Sequence, residues 1–252
     1  MSPPDGTPMP NYRLTLTFDG TAYHGWQVQP NAVTVQEVLE RAIEETVGRH
    51  VGLMGCGRTD AGVHAESYVA NFNVDSDLPP ERMLAALNSR LPEDVVVTAC
   101  EIAPNDFHAT LSAKGKIYRY TIAVGEVRPV LDRHVVHWVR HPLDVDAMRR
   151  AAACLVGEHD FASFVTQHDP EKDTVRTIHR LDVETDGRYV GITVAGNGFL
   201  YNMVRTIVGC LVAVGRGQRR PGWMKAVLDA RDRTKAVDTA PAKGLTLVRA
   251  IY

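Results

Sequence analysis

Nine residues, Gly57-Arg58-Thr59-Asp60-Ala61-Gly62-Val63-His64-Ala65, narrow the possible folds of this chain more than any other stretch. They hang one guanidinium and one carboxylate on a loop bracketed by two glycines, at positions where a Cβ would limit the approach of a ligand or a second backbone. Val51 to Cys56 before it reads as a short strand, and Ser67 to Val74 after it sets Val69, Phe72 and Val74 among smaller or polar residues. The pattern predicts a rigid rim between two strands, with Asp60 on it.

The same order of elements occurs twice around this loop. In the first half, Leu14, Leu16 and Phe18 alternate with polar residues as a half-buried strand requires. Thr34-x-x-Glu37 is a capping box, and Val35, Val38, Leu39, Ala42 and Ile43 then recur at helical spacing up to a stop at Gly48. The two strands about the loop follow, then a proline-started helix from Pro80 to about Arg90 and a strand near Val95 to Ile102. In the second half the spacing predicts a strand at Lys116 to Val124, a helix capped by Asp144 and running to Val156, and strands near Thr177 to Glu184 and Arg188 to Val194. A long apolar helix from about Phe199 to Val214, a helix opened by Pro221 and a strand at Leu245 to Ile251 complete it. The expected fold class is α+β: two ferredoxin-like βαββαβ subdomains with a joined antiparallel sheet and a central cleft. Residues 1–10 read as a disordered leader, 11–106 as the N-terminal subdomain with the loop, and 107–252 as the C-terminal subdomain.

Charge is unevenly spread, although the formal net charge is only −2. Residues 1–100 hold 6 Lys and Arg against 13 Asp and Glu, whereas residues 201–252 hold 10 against 3. The basic residues there cluster as Arg216, Arg219, Arg220, Lys225, Arg231, Arg233 and Lys235. Such a tail serves equally as a polyanion-binding surface or as a solvated face with arginine-rich helix ends. Apolar residues make up 44% and charged ones 23%, the balance of a globular protein. No apolar run approaches the roughly 20 residues of a membrane span, and the proline-rich start lacks a signal-peptide pattern. The expected location is the cytoplasm. Cys56, Cys100, Cys154 and Cys210 lie far apart without Cys-x-x-Cys spacing and read as packing residues.

The loop's single carboxylate excludes several chemistries. Glycoside hydrolysis wants two carboxyl groups flanking one bond, and Glu66 is the only other acid near Asp60 in the loop sequence. His134, His137 and His141 fall on an apparent strand where His134 points away from the other two, so no metal site is expected. Gly55-Cys56-Gly57-Arg58 lacks the Gly-Lys-Ser/Thr ending of a phosphate-binding loop.

Further segments accompany the loop. They are Phe18-Asp19-Gly20-Thr21-Ala22-Tyr23-His24-Gly25-Trp26-Gln27-Val28-Gln29, Phe107-His108-Ala109 with Lys116-Ile117-Tyr118-Arg119-Tyr120, and Gly157-Glu158-His159-Asp160-Phe161-Ala162-Ser163-Phe164. Val175-Arg176-Thr177-Ile178, Gly198-Phe199-Leu200-Tyr201-Asn202-Met203-Val204-Arg205 and Ala242-Lys243-Gly244-Leu245-Thr246-Leu247 complete the set. In these motifs, and in their order over nearly the whole chain, the sequence resembles the bacterial tRNA pseudouridine synthase A family. The resemblance implies an isomerase that converts uridine to pseudouridine at positions 38, 39 and 40 of the tRNA anticodon stem-loop. It also implies a homodimer, an RNA-binding cleft, and neither cofactor nor metal.

By the same resemblance Asp60 is the catalytic aspartate, acting either as a nucleophile or by removing a sugar proton to give a glycal. Arg205 is its guanidinium partner, on a helix whose neighbours Met203, Val204, Ile207 and Val208 are apolar, and a buried arginine requires a partner. Tyr118 would lie against the target uracil, where stacking is worth ~1–3 kcal/mol, and its phenol could serve the proton lost from C5. Leu245 would close the other side of the base. The uridine has to be flipped from its stack, and Arg58 could fill the vacated position or hold the phosphate. Three places depart from the family pattern: Thr110 replaces a common arginine, Glu66-Ser67-Tyr68 replaces a glutamine-containing continuation, and Gln167 to Asp173 is an acidic linker.

Overall fold

Tyr12, Leu14, Leu16 and Phe18 are buried while Arg13, Thr15 and Thr17 face the other side, so strand β1 (Asn11–Phe18) forms where the alternation predicts. The computed structural model describes residues 9–166 and 173–252. Most of the expected leader, and the linker Gln167 to Asp173 apart from Asp173, lie outside the described residues. Helix α1 (Val35–Val47) starts where Thr34 Oγ1 accepts the Glu37 N–H at 3.3 Å and ends at Gly48, whose φ of 74° supplies the left-handed stop. Strand β2 (Met54–Gly55) is shorter than the apolar run around it, and β3 (His64–Asn73) begins directly after the loop. Helix α2 (Pro80–Asn88) opens on proline and β4 (Val95–Ala103) follows.

The chain divides into two compact units, Met1–Ala113 with Leu247–Tyr252, and Lys114–Thr246. In the first, β1 pairs antiparallel with β3 on one side and β4 on the other. The far edge of β3 takes β2 over Ala70 and Asn71 and also takes β10 (Leu245–Ile251). Polar residues at the centre bind the segment after β4 to this unit. Asn11 Nδ2 donates to the carbonyls of Pro104 (3.0 Å) and Phe107 (2.9 Å), and Asn71 Oδ1 accepts the Ala109 N–H at 2.8 Å. Arg13 lies against the rings of both Phe107 and Tyr252, 5.2 and 4.9 Å from their centroids.

In the second unit, β5 (Gly115–Val124) pairs in parallel with β6 (His137–Val139) and antiparallel with β9 (Tyr189–Gly196). β9 pairs with β8 (Val175–Asp186), and β8 with β7 (Gly157–Asp160), both antiparallel. Helix α3 (Val145–Ala152) is capped by Asp144, which accepts the Ala147 N–H at 2.8 Å; its last residues continue as a 3-10 turn, Ala153–Leu155. Helix α4 (Met203–Gly215) is buried except at Arg205 and Gly209. It begins four residues later than periodicity predicts, because Asn202 at φ 60° breaks the helical path there. Helix α5 is Trp223–Ala230. The mixed α+β class is as expected, and among the described residues no helix is long and apolar enough to cross a membrane.

Candidate active site

Asp60 opens a tight turn. The Val63 N–H donates to the Asp60 carbonyl at 3.1 Å, and Gly62 at φ 77° occupies the third position, where a type II turn needs positive φ. Asp60 is half-buried and Arg58, two residues earlier, is exposed. The segment after β1 holds this turn from one side. Trp26 N–H donates to the Thr59 carbonyl (3.2 Å) and Gly62 N–H to the Tyr23 carbonyl (3.2 Å). A Cβ on Gly25 would overlap the Thr59 carbonyl oxygen, and one on Gly20 would overlap that of Val63. Gly25 also sits at φ 86°, so both space and conformation demand glycine there. Beyond the turn, His64 is buried, and its Nδ1 lies 3.0 Å from both the Gly20 backbone nitrogen and Asp19 Oδ1.

Two side chains brace the loop and its lead-in. Tyr68 is fully buried; its hydroxyl donates to the Gly57 carbonyl at 2.5 Å while its ring stacks on Trp26 with centroids 4.0 Å apart. Thr110 Oγ1 donates to the Gly55 carbonyl at 2.5 Å. Both therefore act on the backbone of the loop and its lead-in. Gly55 itself has no room for a Cβ, which would collide with the Tyr68 hydroxyl and the Trp26 ring. Gly20, Gly25 and Trp26 stand in one of the quoted motifs, but no local pattern shows that they, Gly55, Asn11 or Asn71 brace this region.

The second unit carries the other three expected site residues. Tyr118 lies on β5, opposite Val194 of β9, 9% exposed, with the ring of Phe199 edge-on at 5.2 Å and 90°. Arg205 is half-buried in the first turn of α4. Its Nε donates to the Ala240 carbonyl at 2.9 Å and its Nη1 to Asn202 Oδ1 at 2.7 Å, which fixes the plane of the guanidinium. Asn202 is held in turn, its Nδ2 donating to Thr166 Oγ1 at 2.7 Å. A Cβ on Gly209 would overlap the Asp238 carbonyl oxygen, so glycine at this position lets the 238–240 strip lie on α4 and bring Ala240 to Arg205. Leu245 is buried at the start of β10, just after Gly244 passes against the Tyr120 ring.

His134, His137 and His141 do not share a strand: β6 covers only His137 to Val139. Among the described residues no group of three or more His, Cys, Asp or Glu is arranged to hold a metal ion. All four cysteines are free; Cys56 and Cys210 are buried, and Cys100 and Cys154 only partly so. Burial is the main cause that pushes the Cys100 thiol up to about 12.

A family model described as tRNA pseudouridine synthase matches residues 15–111 and 151–252. Over 244 residues the chain is 45% identical to tRNA pseudouridine synthase A 2 of Clostridium perfringens and 45% identical to tRNA pseudouridine synthase A of Clostridium acetobutylicum. It is 46% identical to tRNA pseudouridine synthase A of Brevibacillus brevis. Each alignment covers 97% of this chain and 100% of the relative.

Proposed function

Because the chain belongs to the tRNA pseudouridine synthase A family, isomerases that act on tRNA, we propose that it converts uridine to pseudouridine at positions 38, 39 and 40 of the anticodon stem-loop. Asp60 is the single catalytic carboxylate of this reading. The reaction breaks the bond from ribose C1′ to N1, turns the uracil and joins C1′ to C5; the proton lost from C5 is balanced by one gained at N1. No electrons or atoms are exchanged with a second substrate, so the reading needs no cofactor.

Asp60 acts on the flipped nucleotide as nucleophile or as base toward the sugar, with Arg205 as its guanidinium partner in this reading. Tyr118 and Leu245 flank the uracil, Tyr118 serves the C5 proton, and Arg58 fills the gap left in the stack or holds a phosphate. The observation that carries the reading is the bracing of the Asp60 turn, whose carbonyls and amides are engaged at Tyr23, Trp26 and Tyr68. A carboxylate on a backbone held this firmly loses little freedom on meeting its substrate. Within its own unit, Arg205 has its guanidinium fixed by Ala240 and Asn202. A homodimer in the cytoplasm, with a joined sheet of two ferredoxin-like subdomains and an RNA cleft, belongs to the same proposal.

The test is tritium release from an anticodon-arm RNA carrying 5-tritiated uridine, with metal chelator present. The protein should release tritium from the target uridines, and Asp60→Ala should release none while keeping its circular dichroism. Isomerisation by Asp60→Ala would overturn the mechanism. Binding without any turnover by the unaltered protein would make it an RNA-binding module.

A further inference from the structure

Three of the seven basic residues clustered between 216 and 235 have side-chain partners. Lys225 pairs with Asp229, Arg231 Nε lies 3.3 Å from Asp160 Oδ2, and Arg233 Nη2 donates to Thr239 Oγ1 at 3.4 Å. Arg216, Arg219 and Arg220 differ: all three are exposed, within five residues of one another, and no described carboxylate pairs with any of them. They hang from a firmly built turn. Gln218 N–H donates to the Ala213 carbonyl (3.0 Å), Gly217 N–H donates to that of Val214 (2.8 Å), and Gly217 has φ 70°, the bond pattern of a Schellman stop. Arg219 lies over the Trp223 ring, 5.4 Å from its centroid, which orients its guanidinium without neutralising it. Compensation of the α4 dipole would account for one cation near Arg216, but the effect fades within the last turn and leaves Arg219 and Arg220 unexplained.

A second observation extends the patch. Tyr120 is fully buried; its hydroxyl donates to the Pro241 carbonyl at 2.7 Å, and the His137 ring lies edge-on to it at 6.3 Å. The turn Ala242–Gly244 thus sits against the same aromatic as β6. Burial first, then Arg216 and Lys243, hold the His137 imidazole down to about 4. Arg216 and Lys243 therefore both act on one neutral group, although 27 residues separate them in the chain.

We infer that Arg216, Arg219 and Arg220, continued by Lys243, form a ridge that binds RNA backbone phosphates beside the target uridine. This rests on the function proposed above, since Lys243 stands two residues before Leu245. Guanidinium forks match phosphate oxygens two at a time. From 216 to 250 no large apolar side chain is exposed among the described residues, so an apolar protein face or a bilayer core would gain nothing here.

The experiment measures binding of anticodon-arm RNA against salt for the unaltered protein, for the triple variant Arg216→Gln, Arg219→Gln, Arg220→Gln, and for Lys225→Gln as a paired-residue control. Each lost phosphate contact should reduce the slope of log K against log salt by about 0.7–0.9. The triple variant is expected to lose roughly two units of slope and at least tenfold in affinity, while Lys225→Gln stays within about twofold. Unchanged slope and affinity in the triple variant, with the unaltered protein still isomerising uridine, would overturn the ridge and leave the proposed function standing. A reduced slope from a protein that isomerises nothing would keep the ridge and defeat the function.

Discussion

The phenol of Tyr68 donates to the backbone carbonyl of Gly57 at 2.5 Å while its ring is stacked on Trp26. One side chain thus joins strand β3, the segment after β1 and the loop that presents Asp60. Tyr68→Phe keeps the stack and removes the bond, leaving the Gly57 carbonyl without this donor. A neutral hydrogen bond contributes about 1 kcal/mol, and the loop that loses it should wander from its productive geometry. The expected result is a fall in single-turnover rate of roughly tenfold, with RNA affinity unchanged. A fall in affinity with an unchanged rate would contradict the positioning role of Tyr68.

Asn202 both ends the turn before α4 and holds Arg205. Its φ of 60° is costly for a residue with a Cβ that lacks a local polar group, and its Oδ1 accepts from Arg205 Nη1. Asn202→Gly should keep the backbone and lose the bond. Asn202→Ala should lose both and unfold at about 1 kcal/mol lower stability than the glycine variant. Both variants should slow isomerisation to a similar degree, because both free the guanidinium. Urea unfolding read beside single-turnover rates separates the two effects.

His137 gives a pH signature. Its ordinary value is 6.5 and the folded environment lowers it to about 4. Between these values the unfolded state binds more protons, so the stability this group contributes is fully present above pH 6.5 and is lost as pH falls toward 4. Replacing it by glutamine, His137→Gln, should flatten the stability profile between pH 6.5 and 4 relative to the unaltered protein. Denaturant midpoints at several pH values would show this, and parallel profiles for the two proteins would refute it.

Much of the fold could be read from local signals. Thr34 and Gly48 delimit α1, Asp144 starts α3, and the alternation at 245–251 marks β10 residue for residue. Of the site, the Asp60 turn was legible because Gly62 and the flanking strands declare it within a few residues. The roles of Tyr68 and Thr110 were not. A tyrosine in an apolar strand looks the same whether or not its hydroxyl reaches a carbonyl eleven residues away.

By itself the sequence determined the elements, their caps and the glycine-bearing turn that carries Asp60, because helix spacing, strand alternation and capping act over one or two turns of chain. Only the tertiary structure decided that Leu247–Tyr252 returns to the first unit, that β6 lies parallel to β5, and which arginines keep partners. Those outcomes depend on which strand edges and carboxylates remain open after the rest has packed. Interactions between residues remote in sequence set them, and no local pattern records such interactions.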